Sequence, residues 1–351
     1  MKKFLFPLLI ILFSCTSSPE SDEIPINTTV VENAEQLISP ESNPNIAMPS
    51  GLLSDGDRLL VYDSGAVTMF VYDKDGNLQF SFGSEGDGPG EFRFVPEFWT
   101  FNDTYLLYDR NSAKMIRFSL DGEYMTDYAI DAGSMSLSLA AKSPRKFYLP
   151  TLGQHDALIE FTDLDSEESG FMFGESVTTP PEGLDMQQAQ RQAISGRVPA
   201  FMQNQIILSA NRSGVYSFQQ TSALLQKFSH NGEMEWELDL EIPATEGIFD
   251  QFVERNKMMS DRGQGNLIML QYAADIEATE DGVAILLNTL ETYPVTVAWI
   301  SNNGSEIEEI QFPGLDSFEA RPRSFTLSDS GDSIYFTAAM DGSVYRADWP
   351  L

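Results

Sequence analysis

The chain has 351 residues, 42% of them hydrophobic, with 53 Asp and Glu against 21 Lys and Arg, a formal net charge of −32. Such a length and apolar content can bury a large core, and the charge repels nucleic acid and anionic lipid, so neither is expected as a binding partner. Cys15 is the single cysteine, so no internal disulfide can form and packing must stabilise the fold.

Residues 1–14 carry Lys2 and Lys3 ahead of an apolar run from Phe4 to Phe13, the form of a secretory signal peptide and too short for a stable membrane span. Leu12-Phe13-Ser14-Cys15 resembles the lipobox of bacterial lipoproteins, which implies cleavage before Cys15 and acylation of that residue. Cleavage would remove both lysines, taking the charge to −34, and acylation would leave no free thiol. Residues 15–25 are rich in Ser, Pro and acid and read as a flexible tether, followed by one domain over 26–351.

INTTVV at 26–31 is β-branched and reads as a strand. Then VYDSGAVTMFVYDKDG at 61–76 returns, 46 residues later, as LYDRNSAKMIRFSLDG at 107–122. RFSLDGE at 117–123 recurs as KFSHNGE at 227–233 and more loosely as ISNNGSE at 300–306. Asp-Gly and Asn-Gly between apolar residues predict tight hairpins, because the turn needs positive φ. An apolar strand opens each unit: RLLVYD at 58, TYLLYD at 104, KFYLP at 146, QIILSA at 205, GVAILL at 282 and SIYFTA at 333. The first unit reads as four strands (GLLSDG, RLLVYD, TMFVYD, LQFSFG), and the second as FWTFND, TYLLYD, KMIRFS and YMTDYA. The last ends at SVYRADWPL without a fourth strand, which INTTVV is expected to supply. The expected fold is all-β: a six-bladed β-propeller of four-stranded antiparallel blades, its ring closed by N- and C-terminal strands, with short helical insertions between blades.

Gly86-Asp87-Gly88-Pro89-Gly90-Glu91-Phe92, after VYD…FVYDKDGNLQFSFG, resembles the G-x-G-P-G-E-F/Y link of six-bladed β-propeller lipoproteins of Bacteroidetes-type bacteria, similar in shape to NHL-repeat and TolB-like propellers. The resemblance runs over roughly residues 45–350. It implies the propeller fold and a lipid-anchored place in the bacterial cell envelope, at the outer membrane, and implies no particular chemistry.

Function is less legible. His155 and His230 are the two histidines, so a three-histidine zinc site cannot be built, and both read as solvated loop residues. A calcium site of carboxylates is open to so acidic a chain, but no D-x-D-x-D-G loop occurs, and no cofactor is expected. Nucleophile-elbow, P-loop and dinucleotide motifs are absent, so nothing argues for catalysis. Residues 83–93, 174–200, 243–266 and 313–324 form the long connections, and each joins one blade to the next; on a propeller these crown one face. The segment 247–263 has Phe249, Phe252 and Val253 at helical spacing and predicts one amphipathic helix. Arg93, Arg191, Arg197, Arg255, Arg262, Arg321 and Arg323 all fall in those connections, with Arg110 and Arg212 in loops on the same face. They are candidates for an anion-attracting face that binds an acidic glycan or protein segment, or else they neutralise neighbouring acids. The expected function is a lipid-anchored binding or scaffolding module; the alternatives are a propeller hydrolase or lyase using carboxylates, and a structural subunit of an envelope complex.

Overall fold

Consecutive apolar residues, as in LLVY at 59–62 and GVAILL at 282–287, need cover on both sides of a strand, and stacking blades around an axis supplies it. The computed structural model describes residues 24–130, 138–166, 170–180, 183, 185–289, 293–317 and 320–351; the expected signal peptide, Cys15 and the expected tether up to residue 23 lie outside them. Six antiparallel blades surround one axis. In order from the axis outward, the first is Pro49–Asp55, Arg58–Asp63, Thr68–Asp73 and Leu78–Phe82. The second is Glu97–Phe101, Thr104–Asp109, Lys114–Ser119 and Tyr124–Ala129. Blades three to six begin on the inner strands Ala140–Ser143, Ile206–Ala210, Ala273–Ala278 and Ser324–Leu327. The middle strands of each blade are buried on both faces, whereas outer strands such as Tyr124–Ala129 are mostly exposed.

Ring closure differs from the sequence expectation. The sixth blade is completed by Glu35–Ile38, antiparallel to Ser343–Asp348, and not by INTTVV. Ile38 is fully buried among Ile46, Leu59 and Val344, so this short segment contributes the apolar anchor that the junction with the first blade requires. Ile26–Val30 instead lies parallel to Ile307–Phe312 as a fifth strand on the outer edge of the fifth blade, with little of it buried. A second difference concerns the fourth blade, where QIILSA supplies the inner strand and Val215–Gln219 is the counterpart of RLLVYD.

The repeated residues have structural reasons. Asp63, fully buried, accepts from the backbone N–H of Ala47 and Met48 (2.6 and 2.8 Å) with one oxygen and from Gly65 and Ala66 (2.9 and 2.7 Å) with the other. It thus ties the incoming connection to the turn after the second strand. Asp109 repeats this with Arg93, Phe94 and Asn111. The turn glycines follow a second rule. Gly122 has φ +81°, and a Cβ there would lie 2.9 Å from Phe82 in the outer strand of the preceding blade. Gly232, at φ +83°, meets Phe173 in the same way. The Asp-Gly and Asn-Gly phrase therefore both turns the hairpin and leaves room for the neighbouring blade's aromatic ring.

Each inner strand starts on one face of the disc, so the connections between blades and the turns after second strands lie there. The remaining turns lie on the opposite face, with acidic residues such as Asp57, Asp75, Asp121 and Asp329. These are termed the connection face and the turn face. On the connection face, α1 (Met186–Ile194) and α2 (Pro243–Asp261) lie side by side, joined by bonds from the Gln190 side chain to the carbonyls of Gln264 and Asn266. The expected helix is α2, and it is held by Ala244, Ile248 and Phe252 against the fourth and fifth blades. Buried Asn256 bonds both backbone groups of Ile268, fastening the chain that leaves the helix.

Candidate functional site

The inner strand of a blade has a free edge, and its backbone N–H groups must find acceptors. Here they find the side chains of the adjoining blade. Ser138 accepts from Leu208 N (3.0 Å), Ser209 from Ala278 N (2.9 Å) and Thr326 from Ser54 N (3.2 Å). At the junction of the fifth and sixth blades the acceptors are carboxylates. Asp275 takes Phe325 N (3.0 Å) and the Ser324 hydroxyl (2.6 Å), and Glu277 takes Leu327 N (3.2 Å). Glu97 of the second blade accepts from Ser138.

These side chains wall an axial channel of about 480 Å³, lined by the inner strands of all six blades. Gln220, Gln271, Asn288 and Arg323 line it on the connection face. Burial within the ring pushes Glu97 well above the usual carboxylate range, and the charge of Asp275 adds to this against the Ser138 bond. Burial likewise raises Asp275 to about 6, against its bonds from Ser324, Phe325 and Ile276. Glu277 rises to about 8, again by burial first, with Thr326 opposing and Asp275 adding. At the turn-face end of its strand Asp55 is raised by burial and by the nearby charge of Asp329. A small hollow of about 40 Å³ adjoins the channel mouth, sharing Gln271 and Asn288 and reaching Arg255.

The arginines divide. Arg191, Arg255 and Arg262 stand exposed on or just after the paired helices, Arg197 follows α1, and Arg323 is exposed at the channel mouth; none of the five forms an ion pair among the described residues. Arg93 is held by Asp87 at 2.5 Å, so there the neutralising reading applies. Arg321 points inward, bonding the carbonyls of Thr289, Tyr293 and Asp316, and clamps the connection into the sixth blade. Arg212 is a correction. It lies in the turn after an inner strand, on the turn face, and pairs with Glu280 at 3.1 Å, because QIILSA is an inner strand.

His155 is exposed, as expected, within one short 3₁₀ turn (Gln154–Asp156) between two strands of the third blade. His230 is not simply solvated: its Nδ1 lies 2.8 Å from the Tyr148 hydroxyl, the two rings stack, and burial, with Lys142 nearby, lowers its pKa. Among the described residues no three His, Cys, Asp or Glu side chains converge closely enough to hold a metal ion, so the open calcium alternative finds no such cluster there. No described helix is long and apolar enough to cross a membrane. Sequence reading missed Glu97, Asp275 and Glu277. The available signal was AADIEA at 273–278, where two acids alternate within a short apolar strand.

A family model described as 6-bladed beta-propeller matches residues 41–156, which span the first two blades and part of the third. No curated protein matches. Among solved structures, a Bacteroides fragilis protein described as exported is similar at 13% identity and a TM-score of 0.51, covering 92% of this chain and 99% of that one. Streptogramin B lyase is similar at 13% identity and 0.51, covering 90% and 96%. A Bacteroides thetaiotaomicron protein of unknown function reaches 0.52 at 10% identity, covering 90% and 75%. At such identities the likeness carries the fold, a six-bladed propeller, and nothing of the chemistry.

Proposed function

We propose that the chain is a lipid-anchored propeller of a bacterial cell envelope, at the outer membrane, acting as a binding or scaffolding module whose recognition surface is the connection face. The observation that carries this reading is convergence on one side. The long connections, both helices, the unpaired arginines and the polar mouth of the channel share that face, while the other holds short acidic turns. Elaborated loops on a rigid scaffold are where recognition is usually built. The signal-like first fourteen residues and the lipobox-like Leu12–Cys15 support the location, as does the fold shared with an exported Bacteroides protein.

The proposed partner is an acidic glycan or acidic protein segment, since planar guanidinium forks suit carboxylate and sulfate groups. Changing Arg191, Arg255, Arg262 and Arg323 together to Gln should abolish capture of such a partner and leave the melting temperature unchanged. Lys74, Lys142 and Lys146, changed together, give the control on the other side of the ring. Binding should also weaken as salt rises, because exposed contacts are screened over about 8–10 Å. Capture that survives the four-arginine variant rejects this surface.

A second reading, hydrolase or lyase, draws on the channel carboxyls, because Glu277, raised to about 8 by burial, is still protonated near neutrality and a protonated carboxyl can serve as a general acid. Turnover of any substrate that is lost in Glu277→Gln would favour it over binding alone.

A further inference from the structure

The channel carries more polar groups than edge satisfaction requires. Asp275 and Glu277 are occupied by the N–H groups of the sixth blade, but Glu97 takes a hydroxyl from Ser138, whose oxygen already serves Leu208 N. Glu97 therefore lines, with acceptor capacity to spare, an open-mouthed channel of about 480 Å³, and Asp275 is close enough to feel its charge. Above them, at the mouth, stand the opposite charges Arg323 and, beside the adjoining hollow, Arg255.

We propose that the channel seats an elongated zwitterion. An ammonium or guanidinium end enters from the connection face toward Glu97 and Asp275, and a carboxylate stays at the mouth with Arg323. Free lysine or arginine and the C-terminal residue of a peptide both have this chemistry. The inference rests on the preceding reading only for the side from which the ligand enters. The groups facing the seat are Glu97, Ser138, Asp275 and Ser324, with Glu277 deeper and Asp329 beyond it. A cation in the seat favours their ionised forms, so its binding releases protons and tightens as pH rises through their titration.

The test is calorimetry on the intact ring, residues 24–351, with L-lysine, L-arginine, 1,5-diaminopentane and a short neutral peptide ending in lysine. Glu97→Gln keeps the Ser138 bond and removes the charge; it should weaken lysine and the diamine alike by about tenfold or more. Arg323→Gln should weaken lysine by a similar factor and leave the diamine unaffected. If Glu97→Gln proves unstable, the contrast between lysine and the diamine in Arg323→Gln still decides, because Arg323 is exposed at the mouth and outside the packed core. Binding of free lysine without the peptide assigns the site to the free amino acid, and the reverse to a chain terminus. The proposal is overturned if no probe binds at millimolar concentration, or if lysine binds Glu97→Gln or Arg323→Gln as tightly as the wild type. The two readings fail separately in the Arg191→Gln/Arg262→Gln pair, which lies on or just after the helices and does not line the channel: it should weaken capture of an acidic partner and leave lysine binding unchanged.

Discussion

At the residue scale the most informative side chains are acids kept inside the ring. Asp63 and Asp109 are stated plainly by the repeated Tyr-Asp phrase, and each proves to be a backbone acceptor and not a site. Glu97, Asp275 and Glu277 occur once each, so no repetition marks them, and their importance depends on contacts across blades that spacing does not reveal. Glu277 gives a direct test of their burial. Its pKa is raised to about 8, so the folded state holds a proton that the unfolded state has released, and stability falls as pH rises from the ordinary glutamate range to about 8. Glu277→Gln removes that penalty while keeping an acceptor for Leu327 N. Urea melts of both proteins should show the variant gaining on the wild type between pH 5 and 8, by no more than about 5 kcal/mol since the side chain borders the channel. A pH-independent difference would mean that Glu277 is already ionised throughout.

At the element scale the strands of the first two blades are legible because two cues agree there, continuous apolar runs and a glycine turn after each pair. In the fourth blade QIILSA is apolar enough to pass for a second strand, and the error carries Arg212 to the wrong face. Closure is misread for a related reason. INTTVV has the stronger β-branched pattern, but EQLI has the buried Ile38 and an ion pair from Glu35 to Arg346. Pattern measures strand propensity; partner choice follows from which face is buried. Two truncations separate the roles. Removal through Val30 strips an exposed fifth strand from the fifth blade, leaves the buried Val31 in place and should lower the melting temperature only slightly. Removal through Ile38 opens the ring between the sixth and first blades and should abolish the cooperative transition. Equal losses from the two would show that Ile26–Val30 shares in closure.

At the scale of the whole molecule the position of the first strand bears on how the ring would sit if it is anchored. Ile26 pairs with Ile307, just after the turn at 302–306, so the chain joins the rim at the turn face. An anchor at Cys15 would therefore draw the turn face toward the membrane and leave the channel mouth, the helices and the unpaired arginines outward. Opposing this, the turn face is acidic and anionic lipid repels it, but over a screening length of about 8 Å. Eleven residues of tether reach about 35 Å at full extension, enough for the ring to stand off without inverting. Because Cys15 is the native cysteine and would be acylated, single cysteines can report the orientation. Ser260→Cys lies on α2 and Glu306→Cys on the fifth blade's turn, and both positions are exposed. On vesicles carrying the acylated protein, a bulky maleimide should label Ser260→Cys faster than Glu306→Cys. With Cys15→Ser added and no vesicle, the two rates should converge. Equal rates on vesicles would show that the anchor sets no orientation, and failure of labelled fatty acid to enter the wild-type chain would remove the anchor itself.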